Sequence, residues 1–159
     1  MKVYDDHRTP PISWQQGAFS VTTDIAQLDI PAIHAYLTRS SWAEGIDIET
    51  VRMAVSNSLS FGLFEAGKQI GFARLATDFA TFGYLCDVYV LEEYQQQGMG
   101  RWLVSCCQAH PLMARLRKIM LVTTTAPWLY QKFGYQPVNL ENTVWQIARP
   151  DIYKQSGNT

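Results

Sequence analysis

The stretch EEYQQQGMGRWLV, residues 92–104, sets Gln95, Gly98 and Gly100 where the apolar run YLCDVYVL ends and a helical pattern begins. Backbone amides at a helix start have no partner inside the helix and carry partial positive charge. Glycines there remove the Cβ atoms that would keep an anion away, so the spacing suits a phosphate or pyrophosphate. The plainer alternative is that the glycines only relieve crowding between strand and helix. A P-loop would need Gly-Lys-Ser/Thr, and a dinucleotide fingerprint would need GxGxxG beside a first strand; both fit poorly. Asp87 is a second candidate, a carboxylate in an otherwise apolar strand where an unpaired charge would be expensive. It is a base, or a carboxylate paired with a buried partner, or one that points outward; the pattern leaves all three open.

These groups need a strand, a turn and a helix held on a sheet. Residues 1–18 read as a loose arm containing Pro10 and Pro11, followed by a short strand in AFSVTTD. Asp29 is placed to cap a helix through IPAIHAYLTRS, with Pro31 in its first turn and Ile30, Ile33 and Leu37 on one face. Asp47 caps a second helix carrying Ile48, Val51 and Val55. SLSFGLFEAGKQIGFARLATD reads as two strands joined by a turn at Ala66-Gly67-Lys68. TFGYLCDVYVL is apolar on both sides and so expected to be central. Met99, Trp102, Leu103 and Cys106 form the stripe of the helix after the glycines, which Pro111 ends. KIMLVTTT predicts a buried strand, APWLYQKFG a short helix stopped by Gly134, and TVWQIAR a last strand. Residues 150–159 read as a loose tail, and the whole of 1–159 as a single α+β domain.

Composition narrows the classes. A chain of 159 residues with 47% apolar and 17% charged residues can bury a real core. A net charge of −1 gives no basic field for nucleic acid or anionic membrane. The apolar runs fall short of the roughly 20 residues that span a bilayer. The start, MKVYDDHRTPPISWQQG, lacks an apolar core after a basic beginning and predicts no secretory signal. Cys86, Cys106 and Cys107 show no metal-site spacing, and their odd number fits a reducing compartment. The expectation is a cytoplasmic protein without a metal. His7, His34 and His110 are assigned surface roles.

Gln95-x-x-Gly98-x-Gly100 resembles the [Gln/Arg]-x-x-Gly-x-[Gly/Ala] acetyl-CoA signature of the GNAT superfamily of N-acetyltransferases. DVYVLEEYQQQGMGRWLV is similar to that family's fourth strand, pyrophosphate loop and third helix. LYQKFGY, with Tyr130 and Tyr135, is similar to its Tyr-x-x-x-Gly-[Phe/Tyr] hallmark. The resemblance spans residues 18 to 149. It implies a mixed, mostly antiparallel sheet of 6–7 strands flanked by about four helices and splayed between the family's strands 4 and 5. It further implies that the amides of Gln96, Gln97, Gly98, Met99, Gly100 and Arg101 cradle the CoA pyrophosphate while Gln95 braces the loop. Val88, Tyr89 and Val90 would hold the pantetheine arm through their backbone.

The implied reaction moves acetyl from a thioester to a primary amine of a small molecule. An amine of pKa ~10.4 is less than about 0.1% neutral at pH 7, a handicap of roughly 4–5 kcal/mol. A thiolate of pKa ~8.5 leaves tolerably well unassisted. Tyr130 is the implied acid for the departing sulfur; from its ordinary pKa of ~10 that transfer is uphill by roughly 2 kcal/mol. Asp87 would then be a base or an amine-binding carboxylate, and a water relay is a further route for the amine proton. Glu92 reads as solvated. In this fold the acceptor meets the segment SSWAEGID and the loop TDFATFGY. That gives an aromatic rim of Trp42, Phe79, Phe82 and Tyr84 and an acidic one of Glu44, Asp47 and Asp78. Neither motif holds a cysteine, so direct transfer in a ternary complex is expected over an acyl-enzyme. Competing expectations are a longer acyl donor, a protein or peptide amine as acceptor, and a CoA-binding sensor without turnover. Exposed aromatics and a strand-forming C-terminus permit a homodimer.

Overall fold

A computed structural model describes residues 10–139 and 141–157. Met1–Thr9, and His7 with them, lie outside the described residues. The elements run β1 (Ser13–Gln16), β2 (Phe19–Thr22), α1 (Ile30–Leu37), α2 (Ile48–Ser56), β3 (Leu59–Glu65), β4 (Lys68–Thr77), β5 (Phe82–Val90), α3 (Met99–Ala109), β6 (Lys118–Met120) and α4 (Pro127–Gln131). Among the described residues the six strands form one open sheet in sequence order. Every neighbouring pair is antiparallel except β5 and β6, which run parallel.

Local chemistry explains most boundaries. Asp29 accepts from the Ala32 amide and Asp47 from the Thr50 amide, so both expected caps start their helices. Ala66 at φ 47° and Gly67 at φ 87° turn β3 into β4. The sheet then buries two faces. Phe61, Leu63, Ile70, Leu75 and Leu85 pack with Leu103, Cys107 and Leu112 beneath α3. Ile33, Leu37, Val51 and Val55 of α1 and α2 pack with Phe64, Phe72 and Tyr89 on the opposite face. Each such large side chain contributes about 1.5–3 kcal/mol relative to exposure.

Three expectations are corrected. Residues 13–16 are an edge strand within the supposed arm, paired with β2 across a turn at Gly17 (φ 61°); this extra strand makes the family's fourth and fifth strands β5 and β6 here. The C-terminal end is not loose over its whole length. Residues 152–157 form a 3₁₀ turn, and Tyr153 packs against the α1–α2 cluster. TVWQIAR is not a strand: Val144, Trp145 and Ile147 are 62%, 83% and 82% exposed. Its apolar residues need a neighbouring edge, and β6, the nearest candidate in sequence, stops at Met120 with Val122 already 78% exposed.

That early stop shapes the site. β5 pairs with β6 only through Phe82, Gly83 and Tyr84, opposite Lys118, Ile119 and Met120. From Leu85 to Val90 the edge of β5 facing β6 carries no ladder, which is the expected splay.

Candidate active site

β5 leads directly into the glycine turn. The Leu91 amide donates to the Ile70 carbonyl at 2.8 Å, a 3₁₀ turn covers Glu92–Tyr94, and the Gln95 side-chain amide donates to the Val90 carbonyl at 2.8 Å. Gln95 therefore ties the turn to the strand end. Gln96 at φ 64° and Gly98 at φ 80° reverse the chain, and α3 begins at Met99 with no side-chain cap. The Trp102 amide takes the Gly98 carbonyl at 3.0 Å, so the amides of Met99, Gly100 and Arg101 precede the first helical bond. A Cβ built on Gly98 meets nothing within 4 Å, and one on Gly100 meets only Val90 Cγ2 at 3.9 Å. Crowding between strand and helix thus does not account for either glycine. The side chain of Met99 is buried, which leaves its amide as the group it can offer.

Upstream on β5, Asp87 sits at φ 54° in a β-bulge. Cys86 opposes Arg74 and Tyr89 opposes Phe72, so Asp87 and Val88 together face Ala73. Aspartate tolerates this left-handed backbone better than most residues. Asp87 Oδ2 accepts from Arg74 Nε at 2.9 Å and Oδ1 from Trp42 Nε1 at 3.0 Å, while Arg74 Nη1 donates to Ser58 Oγ at 3.1 Å. The two charged side chains are 13% and 20% exposed. Asp87 is thus a paired carboxylate, one of its three sequence readings. The guanidinium and the indole fix the carboxylate from two sides, so it is held in one orientation. A cavity of about 170 Å³ opens beside the pair, lined by Trp42, Val51, Ala54, Val55 and Tyr153.

Tyr130 lies on α4, half-buried against the α3-side core, its ring edge-on to Tyr135 at 5.9 Å and 78°. Burial raises the pKa of its hydroxyl above the ordinary tyrosine value, with Cys107 adding to the shift. Tyr135 accepts from the Gln108 side-chain amide, and burial pushes its hydroxyl up to about 12.

The match to the family model described as an acetyltransferase (GNAT) domain covers residues 48–137, more than half of the chain. A candidate acetyltransferase of Gibberella zeae is 34% identical, over 78% of this chain and 82% of that protein. The crystal structure of a candidate GNAT-family acetyltransferase from Xanthomonas campestris pv. campestris superposes with a TM-score of 0.81 at 38% identity, covering 85% of this chain and 96% of that one. The chain belongs to the GNAT acetyltransferase family. A GNAT acetyltransferase from Elizabethkingia anophelis, solved with acetyl-CoA bound, shares the fold at TM-score 0.60 and 17% identity, over 82% of this chain and 90% of its own.

Against this GNAT frame the other expected residues divide. Trp42 lines the cavity and bonds Asp87. Phe79, at φ 61°, packs on the α3-side core, and Phe82 and Tyr84 are 38% and 37% exposed; none of the three lines the cavity. The acidic rim is occupied by structural bonds. Asp47 caps α2, Asp78 accepts from the amides of Ala80, Thr81 and Phe82, and Glu44 pairs with Lys154 at 3.2 Å. The Thr81 hydroxyl, which donates to the other Asp78 oxygen, and then those amides hold Asp78 well below the usual carboxylate range. Glu92 is half-exposed and bonded by both oxygens to Arg39. His110 is buried at 1% exposure rather than on the surface, because its Nδ1 accepts from the Leu112 amide and its ring packs edge-on to Phe61. His34 Nε2 bonds the Ile46 carbonyl at 3.0 Å. Among the described residues no cluster of His, Cys, Asp or Glu could hold a metal, and no helix is long and apolar enough to cross a membrane. Sequence reasoning missed Arg74 and Tyr153. An arginine inside the apolar strand KQIGFARLAT was a readable signal; Tyr153 had none.

Proposed function

We propose that the chain is an acetyl-CoA-dependent N-acetyltransferase acting on a primary amine of a small molecule, by direct transfer in a ternary complex. One observation carries this reading: an uncapped helix start with open glycines adjoins the stretch of β5 that β6 leaves unpaired. The amides from Gln96 to Arg101 would bond the CoA pyrophosphate, with Gln95 bracing the turn. The free β5 edge at Val88, Tyr89 and Val90 would hold the pantetheine arm and bring the thioester beside the Asp87 bulge, where a backbone N–H polarises its oxygen. Asp87 would orient the amine as it attacks. The N–C bond forms and the C–S bond breaks; the sulfur takes its proton from Tyr130, and the amine proton leaves through water.

A CoA-binding sensor without turnover is the weaker reading, since it gives no use to a half-buried tyrosine at the hallmark position. Three free thiols fit a reducing cytoplasm. A homodimer remains part of the proposal, with Val144, Trp145 and Ile147 as the apolar surface a second copy would cover.

The test is calorimetric titration with acetyl-CoA and CoA, for wild type and for Gly98→Glu, with circular dichroism on both. Micromolar binding that the folded variant loses is the expected result. It leads to a thiol-release screen over amines between pH 7 and 9. A folded wild type that binds neither compound would overturn the reading.

A further inference from the structure

The cavity beside Asp87 is shaped well enough to indicate what enters it. Its walls from Ile46, Val51, Ala54 and Val55 are apolar, and its charged groups, Asp87 and Arg74, sit together. At about 170 Å³ it compares with cavities of ~150 Å³ that hold one benzene. A single ring or a branched aliphatic group fills that space, whereas a sugar or an extended polyamine would set most of its polar groups against the apolar walls, away from Thr50 and the Arg74–Asp87 pair. The paired charges also offer no surplus anion for a second ammonium and no surplus cation for a phosphate. Each Asp87 oxygen accepts one bond from the protein and keeps a lone pair for an incoming N–H.

The remaining wall comes from the far end of the chain. Tyr153 lines the cavity from the C-terminal 3₁₀ turn, and two contacts fix that turn to the α1–α2 segment. Gly45, at φ 87°, lies so close to the Tyr153 backbone that an added Cβ would stand 3.0 Å from its carbonyl oxygen. Lys154 bridges Glu44 and Asp151, each at 3.2 Å. Residues 151–154 are therefore fastened over the cavity.

We propose that this cavity is the acceptor pocket for a primary amine bearing one ring-sized apolar group, the arylalkylamine class, and that Tyr153 is a specificity-determining residue that closes it. The inference rests on the N-acetyltransferase reading for its chemistry but not for binding. The first experiment is calorimetric titration of the CoA-loaded protein with 2-phenylethylamine and with spermidine, for wild type, Tyr153→Ala, Tyr153→Phe and Ala54→Phe. Binding of 2-phenylethylamine, weakened about tenfold or more by Tyr153→Ala and Ala54→Phe and kept by Tyr153→Phe, is expected, with spermidine bound far more weakly. Absence of 2-phenylethylamine binding, equal binding of spermidine, or indifference to both weakening variants overturns the proposal. Thiol release from acetyl-CoA then separates the two claims. In the supporting case, Tyr153→Ala raises KM for 2-phenylethylamine with kcat little changed and KM for acetyl-CoA unmoved. Specific binding without thiol release keeps the pocket and sinks the transferase reading; thiol release with spermidine alone does the reverse.

Discussion

Tyr130 can serve as an acid only while it keeps its proton, and its burial raises its pKa above the ordinary value near 10. Two titrations then frame the rate. Turnover rises with pH as the amine deprotonates, and falls only above the usual tyrosine range as Tyr130 does. Tyr130→Phe should lower kcat about 10- to 100-fold, at or below the low end for general acids because the thiolate leaves tolerably unassisted, and should erase the alkaline fall. A pH–rate profile of both proteins checks this; a variant as fast as wild type would make Tyr130 a packing residue. Arg74 and Asp87 make a second residue-scale case. Arg74→Met strands a nearly buried carboxylate and should cost about 3 kcal/mol in urea unfolding, whereas adding Asp87→Asn should restore part of it.

At the scale of elements, the end of α3 is set by His110, whose pKa burial lowers, with Arg115 adding to the shift. The folded state prefers the neutral ring, so this stability is present above the unfolded pKa near 6.5 and is lost as pH falls through the folded value. The melting temperature should drop between pH 7 and 5 by more in wild type than in His110→Asn, which keeps an acceptor for the Leu112 amide. Elements whose causes lie within a few residues were legible in the sequence: the Asp29 and Asp47 caps, the Ala66-Gly67 turn, the strand–glycine–helix unit. Elements that depend on a distant partner were not. Ser13–Gln16 is the exception: its partner β2 lies just across the Gly17 turn, but SWQQ is mostly polar and exposed at an edge and carries no buried pattern. TVWQIAR has strand composition but no edge to join. The site follows the same division. Gln95, Gly98 and Gly100 announce themselves by spacing, while the Arg74–Asp87 pair and the Tyr153 wall join residues far apart in the chain.

For the molecule as a whole, the shared family model ends where individuality begins. Residues 48–137 include the Asp87 bulge, the glycine turn and Tyr130, whereas Trp42 and Tyr153 fall outside it. The cavity thus draws part of its wall, Val51, Ala54, Val55, Arg74 and Asp87, from the shared stretch and part, Trp42 and Tyr153, from outside it. Removing residues 151–159 should weaken 2-phenylethylamine binding while leaving acetyl-CoA affinity within about twofold, a contrast that paired titrations read directly. If a second copy covers the exposed Val144, Trp145 and Ile147, Trp145→Glu should shift the sedimenting species from dimer to monomer. A wild type that sediments as a monomer would end that part of the proposal.

The bulge at Asp87 has a consequence for how such a site can arise. Leu85 and Val90 pack in the same α3-side cluster although five positions separate them, because the extra residue restores their common face. Without Asp87 the strand would read YLCVYV, a regular apolar ladder with every remaining side chain on its present side. Paired with Arg74→Met, that deletion should leave the fold as stable as before and the cavity without its carboxylate. The carboxylate that we propose orients the amine is one residue added to a strand that is complete without it.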